Sequence, residues 1–279
     1  MKKITNRQIQ SFKKHLIEEE KSDNTTEKYI RDITCFMVWL NGRDATKILA
    51  LEYKKELCKK YAPASVNSII SSLNSFFAFM ERYDMRIRAL KLQRQIFSNK
   101  DKELSKAEYE KLLSAAKGKK NERLFYLMQT ICSTGIRVSE LQYITVSAVK
   151  SGRAIINCKG KMRIVILPKE LCKMLKTYMR ENNIKNGSVF VSRNGNPLDR
   201  SHIWKMMKAL CDAAGVSKEK VFPHNFRHLF ARTYYSLQKD IVRLADVLGH
   251  SSVNTTRIYT IETGEIHRRQ LQKLGLLRC

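Results

Sequence analysis

Ile30, Ile33, Phe36, Met37 and Leu40 recur at the three- and four-residue spacing that lines one face of an α-helix, and Asn41-Gly42 closes the run. A longer seam, Val66, Ile69, Ile70, Leu73, Phe76, Phe77 and Met80, follows Pro63 and Ser65 and predicts the best-defined helix of the first half. Thr5 with Gln8 and Asn24 with Glu27 have the spacing of a capping box, so a helix is expected to begin at each pair. Residues 44–60 read as a less regular helix. Four short helices with little strand signal predict a compact all-α unit over residues 1–85, its aromatic residues serving as core. From Arg82 to Lys102 the chain turns basic and loses periodicity, so residues 86–102 are expected to link this unit to a second one over 103–279.

In the second half Ser105 and Glu108 form another capping pair. A helix carrying Leu124, Phe125, Met128, Ile131 and Cys132 ends at Gly135, a residue suited to a left-handed turn. Arg137 is then expected in or just before the first turn of the next helix, where backbone N–H groups favour an anion. The clearest β signal is a hairpin of residues 153–157 and 162–167 with Cys158-Lys159-Gly160-Lys161 between them, so two lysines stand at its tip. Ser188 to Val191 suggests a brief strand, and Ile203, Trp204, Met207, Leu210 and Cys211 a core-packed helix. Pro223 opens a helix with His224 near its start and Arg227 one turn on. A last helix with Ile241, Leu244, Ala245 and Leu248 stops at Gly249, leaving His250 just past its end and Tyr259 nine residues later. The fold class expected is mainly α with a small β-hairpin.

Charge narrows the function. The 279 residues carry 53 Lys+Arg against 26 Asp+Glu, a formal charge of +27. Residues 1–99 hold 19 basic and 11 acidic side chains and the remainder 34 and 15, so both halves are basic. A polyanion gripped along the whole chain fits that distribution better than a small metabolite does. The seven cysteines are scattered, odd in number and without a C-x-x-C pair, which argues for a reducing compartment and against a zinc knuckle. No apolar run is long enough for a membrane span and no apolar segment follows the basic start, so no membrane partner and a cytoplasmic location are expected. His224 and His228 have the i, i+4 spacing of a zinc pair, but the glutamate of H-E-x-x-H and a third ligand are missing, so no metal site is expected.

Singly, each of these polar residues would be ordinary: a cap, a salt-bridge partner, an aromatic in a core. Together, T-G-I-R-V-S-E-L at 134–141, C-K-G-K in the hairpin, H-N-F-R-H at 224–228, L-G-H at 248–250 and Tyr259 resemble the tyrosine recombinase (integrase) family over about residues 100–262. The basic helical first half resembles that family's core-binding domain, and 103–279 its mixed, mostly α catalytic domain with a C-terminal tail helix. The resemblance implies double-stranded DNA as partner and strand cleavage through a 3′-phosphotyrosyl intermediate. Arg137 and Arg227 would clamp the scissile phosphate, His224 would assist proton removal, His250 would hydrogen-bond the phosphate, and Tyr259 would be the nucleophile. Lys159 would protonate the departing 5′-oxygen, with Lys161 as the alternative acid because this hairpin is tighter than in many relatives. Glu140 would orient the site. Tyr234 and Tyr235 are rival nucleophiles without the family's spacing from His250.

A phenol with pKa about 10 attacks poorly at neutral pH without a proton acceptor and nearby positive charge, which agrees with those assignments. The phosphotyrosyl bond conserves the energy of the broken phosphodiester, so no cofactor, metal or nucleotide, is expected. The family's architecture implies a homotetramer on DNA and a monomer in solution, with the tail helix either docking on a neighbouring subunit, as is frequent in the family, or covering its own core. An integrase of a phage or mobile element is the first reading, a Xer-like dimer resolvase the second, and a catalytically silent DNA-binding protein the alternative of another class. A type IB-like topoisomerase would share the chemistry, but the small helical first half favours recombination.

Overall fold

The computed structural model describes residues 3–92, 100–158, 161–192, 194–259 and 272–273, and the chain divides into two compact units, Met1–Arg94 and Gln95–Cys279. The first is built from α1 (Asn6–Glu18), α2 (Asp23–Leu40), α3 (Lys47–Lys60) and α4 (Pro63–Phe79). Thr5 and Gln8 form the expected capping box. α2 begins earlier than the Asn24–Glu27 pair suggests: Ser22 is its N-cap, and its first turn carries Thr26 into the core. Burial of Phe12, Phe36 and Phe76 forms the centre, with Phe12 and Phe76 edge to face at 5.3 Å. The one carboxylate drawn into this core region, Asp32, is met by Lys28 Nζ at 2.6 Å and by the Ser72 hydroxyl at 2.8 Å, so its burial is compensated.

The chain leaves α4 but does not leave the unit at once. Asn74 exchanges two 2.8 Å hydrogen bonds with the backbone of Ile87, and Asn67 does the same with Leu90 at 3.0 and 2.7 Å. Two side-chain amides thus serve as the partner strand for an extended segment. The start of the stretch expected as a linker therefore packs on α4 with Ile87 buried.

The second unit follows the order α5 (Lys106–Gly118), α6 (Glu122–Thr134), α7 (Val146–Ser151), β1 (Arg153–Cys158), β2 (Lys161–Ile166), α8 (Lys169–Glu181), α9 (Arg200–Lys208), α10 (Cys211–Ala214), α11 (Pro223–Gln238), α12 (Ile241–Leu248) and α13 (Val253–Thr256). α6 lies at its centre, apolar on most sides, and packs against α5, α8 and α11. The strands pair antiparallel, Ala154 opposite Val165 and Ile156 opposite Arg163 on the inner face. Met162, Ile164 and Ile166 point outward, each at least 60% exposed, because the inner face already meets the core through Ala154, Ile156 and Val165. Ser188 and Val191 make only isolated bridges, to Thr145 and Pro197. Trp204 departs from the expected core stripe: it is 45% exposed, with Lys208 Nζ 5.1 Å above its ring, while Ile203 and Met207 take the buried positions.

Arg137 precedes a 3-10 helix, Val138–Tyr143, instead of a full α-helix. It is brought there by Gly135, which ends α6 at φ 63°. A Cβ at Gly135 would lie 2.4 Å from Phe230 Cδ1 and 2.6 Å from Cε1, so only glycine lets α11 approach this turn. Gly135→Ala should therefore destabilise the protein by about 1–3 kcal/mol, read as a lower urea midpoint with unchanged slope. An unchanged midpoint would mean that the close approach is not needed.

Candidate active site

α12 is short and held by Leu244, Ala245 and Leu248, of which Leu244 and Leu248 share an apolar cluster with Ala231 of α11 and with Tyr259. Gly249 ends it in the left-handed region at φ 63°. A helix end leaves its last carbonyls without intrahelical donors, and the helix dipole makes that end favourable for cations. Three arginines from three separate segments occupy it. Arg163 Nη1 donates to Val247 O at 3.1 Å, Arg227 Nη2 to Leu248 O at 2.8 Å, and Arg137 Nη2 reaches Gly249 O at 3.5 Å.

Arg227 is the most buried of the three, 2% exposed. It also donates to Gly135 O, the end of α6, and its Nη2 lies 2.9 Å from His250 Nε2. No carboxylate of the described residues forms a salt bridge with it. Burial, then Arg137, push its pKa down to about 10, with Tyr259 opposing, so it stays charged at neutral pH. Arg137 is more open. Its Nη1 and its own backbone N–H both go to Glu140, at 2.9 Å each. Glu140 is buried, which raises its pKa, yet the bonds from Arg163 and from the Arg137 backbone and side chain outweigh this and hold it below the usual carboxylate range. Arg137 and Arg163 both pair with this carboxylate and Arg227 does not, so three guanidinium charges against one leave a surplus of two.

An arginine has no acceptor, so in its contact with Arg227 the His250 Nε2 must accept. The ring proton then sits on Nδ1 and donates to Thr256 Oγ1 at 2.8 Å. Burial, Arg227 and Arg137 push the pKa of His250 down to about 4, and burial with His224 does the same for His228. His224, at the second position of α11, faces solvent; partial desolvation of its ring, then Arg227, Arg137 and Arg200, lower its pKa. The Tyr259 ring, 3% exposed, is packed between His228, edge to face at 4.6 Å, and His250, stacked at 6.0 Å. His224 meets His228 at 4.5 Å, so two histidine rings in a row lead to the tyrosine.

The structure thus brings Arg137, Glu140, His224, Arg227, His250 and Tyr259 into one neighbourhood. Lys159 lies outside the described residues, and Lys161 is placed by its backbone, paired with Cys158 at the end of β2. The expected tail helix also falls largely outside them. Tyr234 and Tyr235 pack against the Leu244–Leu248 cluster, Tyr234 against Phe230 and Tyr235 beneath Lys239. Three participants went unnoticed in the sequence: Arg163, Thr256 and the contact of His228 with Tyr259. The run Met162–Leu167 is apolar on both alternations, so periodicity hides which face Arg163 joins.

Comparisons with known proteins identify the family of the chain. Residues 102–265 match the model of the phage integrase family, and residues 9–83 match the phage integrase N-terminal SAM-like domain. The chain is 30% identical over 283 residues to the tyrosine recombinase XerA of Thermococcus onnurineus, covering 98% of this chain and 96% of the relative. It is also 30% identical over 268 residues to the tyrosine recombinase XerD of Oceanobacillus iheyensis, with 88% and 89% covered. Among solved structures, a lambda integrase (75–356) dimer bound to a COC′ core site shares the fold with a TM-score of 0.74 at 20% identity, over 91% of this chain and 94% of that one. The family match and these relatives define a DNA strand cleaving and rejoining enzyme of the tyrosine recombinase class. The chain belongs to the phage integrase family. Its partner is DNA, and no helix among the described residues is long and apolar enough to cross a membrane.

The depressed histidines have a thermodynamic consequence. Below pH about 6.5 the unfolded chain protonates these histidines while the folded site resists until about pH 4, so stability should fall as pH drops through that window. Urea unfolding between pH 7 and 4.5 should show this loss, and His228→Gln should flatten it. Nitrogen NMR at pH 7 should find His250 neutral with its proton on Nδ1; an imidazolium there would contradict the geometry.

Proposed function

We propose that this chain is a site-specific recombinase in which Tyr259 attacks a DNA phosphate held by Arg137 and Arg227. The observation that carries the reading is the nearly inaccessible Arg227, charged and without a carboxylate partner among the described residues, beside a tyrosine packed between histidines. Burying a charge without an opposite charge is costly, and an arriving phosphate supplies what the site lacks. The surplus of two positive charges suits a phosphodiester, whose charge grows as phosphorus becomes pentacoordinate.

In the proposed step the Tyr259 oxygen forms a bond to phosphorus, its proton passes to His224, and the P–O5′ bond breaks. His224 is suited to accept because partial desolvation, then the neighbouring arginines, lower its pKa and favour the neutral ring. The departing oxygen takes a proton from Lys159, or from Lys161, at the hairpin tip. His250 would give a hydrogen bond to a phosphate oxygen once the phosphate draws Arg227 away from Nε2. The Thr256 hydroxyl can accept from or donate to Nδ1, so it supports the ring in either tautomer. Attack by another strand's 5′-hydroxyl reverses the chemistry and gives strand exchange. Four protomers on DNA, acting in pairs and assembling from monomers in the cytoplasm, are part of this reading, with residues 1–85 also gripping DNA.

Within recombination, the match to the phage integrase family and the relatives named XerA and XerD leave the integrase and Xer-like resolvase roles side by side. Recombination of a plasmid carrying two copies of a native site, with and without a second partner site, distinguishes resolution from integration.

A suicide substrate nicked beside its native site should trap a covalent complex on a denaturing gel, including after exhaustive chelation. Tyr259→Phe should abolish the complex and still bind the duplex, while Arg227→Ala should slow its formation roughly 10²-fold or more. Binding should weaken with salt at a log–log slope of about −0.9 per phosphate neutralised. A covalent complex persisting in Tyr259→Phe would identify a different nucleophile.

A further inference from the structure

Arg163 stands in the middle of β2 on the inner face of the hairpin, opposite Ile156. Its partners lie in two other segments. Nη2 bonds Glu140 Oε2 at 2.5 Å, and Glu140 in turn holds Arg137 by side chain and backbone. Nη1 bonds Val247 O, three residues before His250. The stem crosses Gly249 so closely that a Cβ there would meet Arg163 Cδ at 2.4 Å and Nη1 at 3.0 Å. The glycine of L-G-H therefore has two duties: it ends α12 at a positive φ, and it leaves room for this arginine.

Arg163 is not placed to hold substrate itself. Its side chain is 15% exposed against 40% for Arg137, and its buried Nε has no partner among the described residues. One planar fork thus spans the carboxylate that aims Arg137 and the helix end that presents His250. Lysine, a single point donor, cannot span both in the same way.

We propose that Arg163 is a positioning residue, which fixes the Arg137 guanidinium and the Gly249–His250 turn relative to each other through Glu140 and Val247. The inference rests on the recombinase reading above and deepens it. The clamp on the phosphate is built from distant parts of the chain, and Arg163 keeps them in one register. Misplacement of a catalytic group by about 1 Å can cost roughly 10² in rate. Arg163 removes that freedom before DNA arrives.

The test is single-turnover cleavage of a suicide substrate, with affinity for the same duplex measured separately. Arg163→Met should slow covalent complex formation roughly 10²-fold, with affinity within about threefold, because no phosphate contact is removed. If that variant does not fold, Arg163→Lys keeps the charge and should still lose about tenfold, since one of the two contacts goes. Glu140→Gln should slow cleavage as well, and Arg163→Met/Glu140→Gln should cost less than the two losses multiplied, because both act on Arg137. A 5′-bridging sulfur, which leaves without a proton, should not rescue Arg163→Met. Rescue by sulfur would mean that Arg163 acts through the hairpin-tip lysine and would overturn the proposal. So would wild-type rates in both Arg163 variants, or a loss of affinity as large as the loss of rate. If instead the wild type itself gives no covalent product on its native site, the recombinase reading fails, while the Arg163–Glu140 coupling stays measurable in urea unfolding.

Discussion

The end of α12 gathers three guanidinium groups on successive carbonyls. Guanidinium groups repel one another, and Arg137, Arg163 and Arg227 gather there with a single carboxylate of the described residues, Glu140, among them. They are kept together because successive carbonyls, Val247, Leu248 and Gly249, each receive one of them at the negative end of a helix dipole. Much of the surrounding architecture serves that point. Gly135 lets α11 approach so that Arg227 can reach both helix ends, the hairpin supplies Arg163, and the apolar cluster of Leu244, Leu248, Ala231 and Tyr259 keeps α12 in place.

The same arrangement governs the histidines. Partial burial and nearby positive charge favour neutral His224, His228 and His250, which suits a proton acceptor, and Thr256 can support either tautomer of His250 once Arg227 leaves Nε2. Tyr259 gains its place from packing, with one ring on each side. Electrostatics gathers the clamp and packing aims the tyrosine. Both converge on one turn.

Much of this was legible in the sequence because its signals are local. Helical spacing located α2, α4, α6 and α12, the Thr5–Gln8 and Ser105–Glu108 boxes marked true helix starts, and Gly135 and Gly249 marked true ends. Family motifs then named the residues that meet at the site. What stayed hidden depends on long-range contact. Ser22 takes the N-cap position in place of Asn24, Trp204 turns outward because Ile203 and Met207 fill the core, and Arg163 sits in an apolar run whose facing is fixed only by what the hairpin covers. The amides of Asn67 and Asn74 that hold residues 87–90 are equally invisible, since an exposed loop asparagine looks the same in sequence.

The central claim is that Arg137, Arg227 and His250 gather around one phosphate within reach of Tyr259, with Arg163 behind them. A crystal structure of Tyr259→Phe bound to a duplex carrying its native site measures this directly. The account predicts a backbone phosphate whose non-bridging oxygens accept from Arg137 and Arg227 and from His250 Nε2, with the substituted ring at position 259 facing phosphorus and Arg163 still on Glu140. A phosphate seated elsewhere, or Arg163 released from Glu140 to take the phosphate itself, would contradict it.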